Sequence, residues 1–140
     1  MIEDIFIFAR GGSKEIKNKN IIKIKGIPLI VYTINFAKNL RVKNVFISTD
    51  SKKIKNAGIK NNTHIIDRPK NLATDNSSEI YSWKHAINWY ERKFKKKLKI
   101  FISLPTTSPL RKKKDFLNVL KFFKKSKCDM IVAIYKPNHY

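Results

Sequence analysis

The chain has 140 residues, of which 42% are hydrophobic, so it is long enough for one domain with a usable core. No apolar run approaches the roughly 18 residues of a membrane span, and residues 1–9 carry early acids and lack the pattern of a secretory signal. A single cysteine excludes an internal disulfide framework and is expected of a cytoplasmic protein, while the formal charge of +21 raises the question of an anionic partner.

Segments with strand and helix patterns alternate along the whole chain. In chain order, the predicted elements are a strand at 2–9, a helix at 28–39, a strand at 45–47, a helix at 51–57, a strand at 63–67, a helix at 77–94, a strand at 100–104, a helix at 116–123 and a strand at 130–134. This alternation predicts a single α/β domain over residues 1–140, with a mostly parallel sheet and helices on both faces.

Local signals predict where three of the helices begin or end. Pro28 is predicted to be the first residue of the first helix, and Gly58 is predicted to end the second. Asn76 and Glu79 have the spacing of a capping box at the start of the third helix. The apolar residues of that helix, within 83–94, recur at helical spacing and are predicted to face the core.

The excess of positive charge has two explanations. A strongly positive net charge is typical of proteins that bind nucleic acids or anionic membranes. However, 26 of the 31 basic residues are lysines scattered along the chain, whereas a phosphate-reading surface favours arginine, whose planar fork pairs with phosphate through two hydrogen bonds. Lys, Ile and Asn, the residues of A/T-rich codons, occupy 60 of the 140 positions. Compositional drift is therefore favoured, and neither nucleic acid nor a membrane is expected as the main partner.

Three unusual segments follow predicted strands, at 10–20, 67–79 and 105–111. In open α/β sheets, ligands bind beside the carboxyl ends of the strands, so these segments are expected to meet there. In the first segment, Gly11 and Gly12 would let backbone N–H groups approach an anion closely, and the neighbouring cations would neutralise phosphate oxygens. The segment matches neither the Walker motif nor G-x-G-x-x-G, and composition alone also allows a solvated lysine-rich loop.

The stretch ARGGSKEIKNKN at 9–20 resembles the N-terminal signature of the CMP-sialic acid synthetases, the acylneuraminate cytidylyltransferases, which reads A-R-G-G-S-K-G-[IV]-x-x-K-N. The likeness continues in order through GIPLIVYTINFA, VFISTDS, RPKNLATDNSS and TSPLR. The resemblance implies a Rossmann-like nucleotide-diphospho-sugar transferase fold. It also implies transfer of a cytidylyl group from CTP to an acylated nonulosonate, a nine-carbon sugar of the sialic-acid kind, with release of pyrophosphate.

The resemblance implies roles for individual residues of this sequence. Arg10 and Lys19 would be the catalytic residues, because neutralising the leaving pyrophosphate stabilises the transition state. The CTP-binding residues would be Arg10, Gly11, Gly12, Ser13, Lys14, Lys19, Asn20, Arg68, Ser77 and Ser78. Within that set, Asn20 would contact the nucleoside, Arg68 the cytosine and the two serines the ribose. The sugar-binding residues would be Pro105, Thr106, Thr107, Ser108 and Arg111.

Three departures from the family pattern bear on these assignments. Glu15 stands where the family has glycine and adds a negative charge beside the phosphate loop. Pro105 stands where many members, which read L-Q-P-T-S-P-L-R, have a glutamine that faces the sugar, and a proline side chain forms no hydrogen bond. Family members also continue beyond this length, and their Mg²⁺-binding aspartates and much of their dimerisation segment lie there. The sequence is therefore expected to be the N-terminal portion of a homodimeric, Mg²⁺-dependent cytidylyltransferase.

Other candidate residues and functions leave alternatives open. Asp50, the one metal candidate within residues 1–140, could contact a metal or ligand, or could cap the helix that follows it. His85 could pack within its helix or take part in chemistry. The alternative functions are another sugar nucleotidyltransferase, such as a 3-deoxy-octulosonate cytidylyltransferase, and a non-catalytic basic fragment that binds nucleotides or nucleic acid. Nucleic-acid binding would weaken steeply with salt.

Overall fold

The computed structural model describes residues 4–13, 16 and 18–134. The chain separates into two compact units, Met1–Leu110 and Arg111–Tyr140. Among the described residues, the first unit contains a four-stranded sheet, a two-stranded hairpin and three α-helices, and the second contains one α-helix. No helix in this described part is long and apolar enough to cross a membrane.

The first unit is an α/β fold with a parallel sheet. Its elements are β1 (Asp4–Phe8), β2 (Lys23–Ile24), β3 (Ile27–Pro28), α1 (Leu29–Asn39), β4 (Asn44–Thr49), α2 (Lys52–Lys60), β5 (His64–Asp67), α3 (Glu79–Phe94) and β6 (Ser103–Leu104). The strand order is β5-β4-β1-β6, and every pairing in this sheet is parallel. The chain builds outward from β1 to β5 and then crosses to β6 on the other side. The gap between β1 and β6 is therefore the topological switch point.

The two faces of the sheet are covered by different helices and different side chains. Towards α3 lies an aromatic cluster, in which Phe46 stacks on Phe6 with ring centroids 5.0 Å apart and meets Tyr90 edge-on at 5.6 Å. On the opposite face, the alternate residues of β1 and β4 are aliphatic, and Gly58 of α2 lies against Ile47. Helices therefore cover both faces, and the predicted α/β fold is confirmed.

Gly58 lies inside α2 and does not end it. The helix was predicted to stop at this residue, but it continues to Lys60, so the predicted end is wrong. The physical reason is packing, because a Cβ on Gly58 would lie 2.8 Å from an atom of each of Ile47, Ile65 and Thr63. Glycine at this position lets α2 approach the sheet closely.

Gly58→Ala should lower the free energy of unfolding by up to about 2 kcal/mol. Alanine improves helix propensity by about 1 kcal/mol, but overpacking a filled core costs about 1–3 kcal/mol, and Ile47 is fully buried. Urea denaturation would measure the change. Gly12→Ala is the matched control, since a Cβ there meets nothing within 4 Å. A stabilised Gly58→Ala protein would show that the surrounding side chains yield freely.

A short hairpin before α1 was not predicted. β2 and β3 pair antiparallel across Lys25 and Gly26, whose φ angles are 49° and 81°. Positive φ at both central residues is the geometry of a type I′ hairpin turn, and this turn favours glycine at its second central position. Pro28 belongs to β3 and precedes the first residue of α1, so its predicted place inside the helix is wrong. The hairpin takes the residue because its backbone is extended there, with ψ of 140°.

The start of α3 differs from the predicted capping box. Ser78 is the N-cap residue, and no side chain caps the helix there. Asn76 lies two positions before the cap, which is too early for the reciprocal hydrogen bonds with Glu79 that define the box. The core-facing pattern of α3 is confirmed for Tyr90, which is 1% exposed, whereas Phe94 is 39% exposed.

The second unit contains α4 (Lys113–Lys125), which confirms the helix predicted at 116–123. The strand predicted at 130–134 is wrong, because these residues have no regular secondary structure. An apolar, β-rich sequence becomes a strand only when a neighbouring strand satisfies its backbone groups. The described part of this unit provides no other strand.

Candidate functional site

Four loops lie at the carboxyl edge of the parallel sheet. We name them after the strands they follow, the β1 loop (the described residues of 9–20), the β4 loop (50–51), the β5 loop (68–78) and the β6 loop (105–110). Because β1 lies between β4 and β6, the β1 loop has a neighbour on each side. The described parts of the three unusual segments that belong to the first unit therefore lie at one edge of the sheet.

Arg10 joins the β1 loop to the β5 loop. Its Nη2 lies 2.6 Å from Asp75 Oδ1, and the two side chains are 31% and 39% exposed. The guanidinium is thus held at the rim of the sheet, where solvent and a ligand can reach it. Asp75 lies within the stretch RPKNLATDNSS that carries the resemblance, but no pairing with Arg10 was predicted for it.

Gly11 is held by the β4 loop. Its backbone N–H donates to Asp50 Oδ1 at 2.8 Å. A Cβ on Gly11 would lie 3.0 Å from Ser51 Cβ, so glycine permits this close approach. The cap of α2 is Ser51, whose Oγ accepts from the N–H of Ile54, and the alternative that Asp50 caps the helix is therefore wrong. No group of three or more His, Cys, Asp or Glu suited to a metal occurs among the described residues.

Asn20 joins the β1 loop to the β6 loop across the switch point. Its Nδ2 donates to the backbone oxygen of Arg10 at 3.0 Å, and its Oδ1 accepts from Thr106 Oγ1 at 2.5 Å. Asn20 and Thr106 are both buried, whereas the other predicted sugar contacts of this loop, Pro105, Thr107 and Ser108, are exposed. Both ends of the Asn20 amide are therefore engaged within the protein.

Arg68 is a buried cation beneath the same edge. Its Nη2 donates to the backbone oxygen of Ser48 at 2.9 Å and its Nε to the Ser48 hydroxyl at 3.2 Å. The guanidinium lies over the ring of Phe8, 5.5 Å from the centroid. Burial lowers the pKa of Arg68, and the nearby carboxylates of Asp50 and Glu79 oppose that shift. A guanidinium stays charged under these conditions, so it adds positive potential at the site.

The other described residues among the predicted CTP contacts lie in the β1 and β5 loops. Lys19 is half-buried and begins a short 3₁₀ turn, Lys19–Ile21, and Gly12 is exposed. Ser77 and Ser78 lie at the end of the β5 loop, two and three positions after Asp75. Ser13 is half-buried.

For two of the residues predicted to bind CTP or the sugar, the structure gives no position relative to this edge. Lys14 lies outside the described residues. Arg111 begins the second unit, two residues before α4.

His85 lies on α3 and is half-buried. Its Nδ1 is buried without a hydrogen-bond partner among the described residues. Burial, followed by the positive charges of Arg92 and Arg68, lowers the pKa of the His85 imidazole. The neutral ring is therefore favoured at neutral pH, which agrees with the packing alternative for this residue.

The arrangement is suited to an anionic ligand with several phosphates. Arg10 lies at the rim, Arg68 lies beneath the edge, and the Gly11–Gly12 backbone lies beside the switch point, where open α/β sheets bind ligands. Sequence reasoning named these residues but did not predict what holds the two arginines, Ser48 for Arg68 and Asp75 for Arg10.

A family model described as cytidylyltransferase matches residues 5–139. The post-translational flagellin modification protein B of Campylobacter coli is 35% identical over 129 residues, which cover 91% of this chain and 55% of that protein. The CMP-N,N'-diacetyllegionaminic acid synthase of Campylobacter jejuni is 36% identical over 105 residues, which cover 74% of this chain and 45% of that protein. The chain thus spans about half the length of these curated relatives.

The fold is similar to that of a solved structure, a CMP:2-keto-3-deoxy-manno-octonic acid synthetase complexed with CTP. The TM-score is 0.67 and the sequence identity is 23%, and the match covers 89% of this chain and 48% of that chain. At this identity the likeness concerns the fold alone. It confirms the Rossmann-like nucleotidyltransferase fold predicted from the sequence.

Proposed function

The chain belongs to the cytidylyltransferase family, and from that membership we propose that it binds CTP at the carboxyl edge of the first unit's sheet. We propose that the protein transfers the cytidylyl group to an acylated nonulosonate and releases pyrophosphate. The observation that carries the proposal is the convergence of Arg10, the Gly11–Gly12 backbone and Arg68 at one edge. The name of the Campylobacter jejuni relative, a synthase of a CMP-activated acylated sugar, supports the class of acceptor.

The proposed reaction is an in-line displacement at phosphorus. The anomeric hydroxyl oxygen of the sugar bonds to the α-phosphorus, the bond from that phosphorus to the oxygen bridging the β-phosphate breaks, and the hydroxyl proton passes to solvent. Pyrophosphate leaves with the negative charge. Arg10 and Lys19 of the β1 loop are proposed to neutralise this charge, since catalysis of phosphoryl transfer depends mainly on positioning and electrostatic stabilisation.

The other loops are proposed to hold the nucleoside and the sugar. Arg68 would recognise the cytosine, and Ser77 and Ser78 of the β5 loop the ribose. The exposed residues of the β6 loop, Pro105, Thr107 and Ser108, would border the sugar. The Thr106 hydroxyl is engaged by Asn20, so its proposed role is to shape that loop. Arg111 remains a predicted sugar contact.

Mg²⁺ is proposed as the companion of the CTP phosphates. The ion usually binds phosphate oxygens together with one or two carboxylates, and when bound it would neutralise phosphate charge. The carboxylates described near the β1 loop do not fit a ready-made protein site, because Asp50 accepts from Gly11 and Asp75 pairs with Arg10. The roles proposed for this chain's own residues therefore do not depend on the ion.

Two further properties are proposals that follow from the family. A homodimer is the proposed assembly. The cytoplasm is the proposed compartment, because that is where nucleoside triphosphates are available as substrates.

The nucleotide preference of the chain tests the proposed function. We expect competition titrations to show tighter binding of CTP than of ATP or GTP. Arg68→Ala should reduce the preference for CTP over ATP by about threefold to tenfold, the effect of about one hydrogen bond, and should change pyrophosphate binding less. Isothermal titration calorimetry would measure each affinity, with a thermal melt to verify that the variant is folded.

The outcomes of this test separate the alternatives. Equal binding of all three nucleotides would remove the cytidylyl assignment. Affinity for nucleic acid that falls steeply with salt and ignores CTP would instead favour the basic binding fragment. Preference for CTP with transfer to a 3-deoxy-octulosonate, and not to a nonulosonate, would assign the related cytidylyltransferase activity.

A further inference from the structure

The peptide group between Arg10 and Gly11 is held from both sides. Its oxygen, on Arg10, accepts a hydrogen bond of 3.0 Å from Asn20 Nδ2. Its N–H, on Gly11, donates to Asp50 Oδ1 at 2.8 Å. Because a peptide group is planar, holding both its oxygen and its nitrogen fixes the plane and the direction in which the chain leaves it.

The strands on the two sides of β1 supply these contacts. Asp50 follows β4 on one side, and Thr106 follows β6 on the other. Thr106 acts through Asn20, because its hydroxyl donates to Oδ1 and so turns the Nδ2 end of the amide towards Arg10. Asn20 and Thr106 are only 8% and 4% exposed, so water competes little for this bond.

We infer that Asp50 and Thr106 are positioning residues that preorganise the β1 loop for the phosphates of CTP, an inference that rests on the proposed function. We call the three contacts of Asp50, Asn20 and Thr106 the peptide clamp. The family pattern L-Q-P-T-S-P-L-R has proline at the position of Thr106, and proline carries no hydroxyl. The Thr106 part of the clamp is therefore a feature of this sequence that the pattern does not contain.

The clamp acts on groups that would meet the phosphates. Arg10 lies on one side of the clamped peptide group and Gly11 on the other, and Gly12 is the residue after Gly11. A Cβ on Gly12 would meet nothing within 4 Å, so the space beside its backbone is open to a ligand. Donors that are already oriented bind an anion without reorganisation. Loosening the clamp should therefore weaken CTP binding although no group proposed to touch phosphate is removed.

Substitutions at Thr106 test the neutral side of the clamp. Thr106→Val replaces the hydroxyl by a methyl group of similar size and should weaken CTP binding by about threefold to tenfold. Thr106→Ser keeps the hydroxyl and should stay within about twofold of the wild type. Thr63→Val is the matched control, because the Thr63 hydroxyl is buried without a partner among the described residues. Calorimetry well below each melting temperature keeps lost stability from imitating lost affinity.

Two substitutions at Asp50 test the charged side of the clamp. Asp50→Asn and Asp50→Ala remove the same negative charge, but only asparagine keeps an oxygen that can accept from Gly11. The alanine variant should therefore bind CTP about threefold to tenfold more weakly than the asparagine variant. Equal affinities of the two variants would overturn the role of Asp50.

Amide hydrogen exchange of Gly11 tests whether the clamp exists in the absence of any nucleotide. The Gly11 N–H should be protected in the wild type and should exchange faster in Thr106→Val, although Thr106 does not bond to it. If the wild type binds no CTP, the proposed function fails, and the exchange rates still decide whether the clamp exists. Unchanged Gly11 exchange in Thr106→Val, or equal CTP affinities of the valine and serine variants in a chain that binds CTP, would overturn the inference.

Discussion

Replacing Arg10 by alanine should weaken CTP binding by about ten- to hundredfold. A charge-assisted hydrogen bond contributes roughly 1.5–3 kcal/mol, and about 1.4 kcal/mol corresponds to a factor of ten in affinity. The Arg10 side chain is 31% exposed at the rim of the β1 loop, so it is oriented but open to a ligand. Lys19→Ala should weaken binding in the same direction. Isothermal titration of the 140-residue chain with CTP would measure both effects.

The ion pair with Asp75 determines which of the two losses should be larger. When Arg10 is removed, the Asp75 carboxylate loses the partner that lies 2.6 Å away and remains as an uncompensated negative charge. Repulsion between that carboxylate and the phosphates then adds to the lost attraction. Arg10→Ala should therefore reduce CTP affinity more than Lys19→Ala does.

Matched losses of charge elsewhere provide the control. Lys38 and Arg92 lie in the last turns of α1 and α3. Because helices in such folds run antiparallel to the strands, both residues lie at the edge opposite the candidate site. Lys38→Ala and Arg92→Ala should change CTP affinity by less than about twofold at physiological salt, where screening acts within about 8 Å. Losses equal to those of Arg10→Ala would mean that only the net charge matters.

The elements of the fold could be predicted because their periodicity is local. β1 and β4 are apolar, β-rich segments, and a helix separates them along the chain. Both lie where the sequence predicted strands. Gly58 was misread because its role depends on three side chains of other elements, which no local pattern shows. The segment at 130–134 has a strand-like sequence, but strand formation depends on a partner, and pairing is a property of the tertiary structure.

The candidate site could be predicted in its parts but not in its connections. Adjacent glycines followed by cations suit an anion-binding loop, although composition alone equally allowed a solvated lysine-rich loop. The bonds that orient this loop join residues far apart in sequence, Gly11 with Asp50 across 39 positions and Asn20 with Thr106 across 86. Asp50 shows the consequence, since a carboxylate at a strand end suggested a cap or a metal ligand. Only the placement of β4 beside β1 shows that it holds a backbone N–H.

A substitution within the aromatic cluster of the sheet and α3 is expected to cause the largest loss of stability. Phe46 is fully buried on β4, two residues before Ser48, which accepts hydrogen bonds from Arg68. Its ring contacts the rings of Phe6, His64, Trp89, Tyr90 and Phe94. Phe46→Ala would remove the side chain that joins these rings and leave a cavity that rigid neighbours on β1 and α3 cannot fill.

Phe46→Ala should therefore lower the free energy of unfolding by about 3–5 kcal/mol, out of the roughly 5–15 kcal/mol typical of a domain. Urea denaturation followed by tryptophan fluorescence would measure it, because Trp89 meets Phe46 edge-on at 6.1 Å and reports on this cluster. Phe122→Ala is the matched control, since that ring is 65% exposed on α4 and its loss should change stability by less than about 0.5 kcal/mol. A loss below about 1.5 kcal/mol for Phe46→Ala would mean that the neighbouring rings collapse into the space, and the expectation that they stay in place would then be wrong.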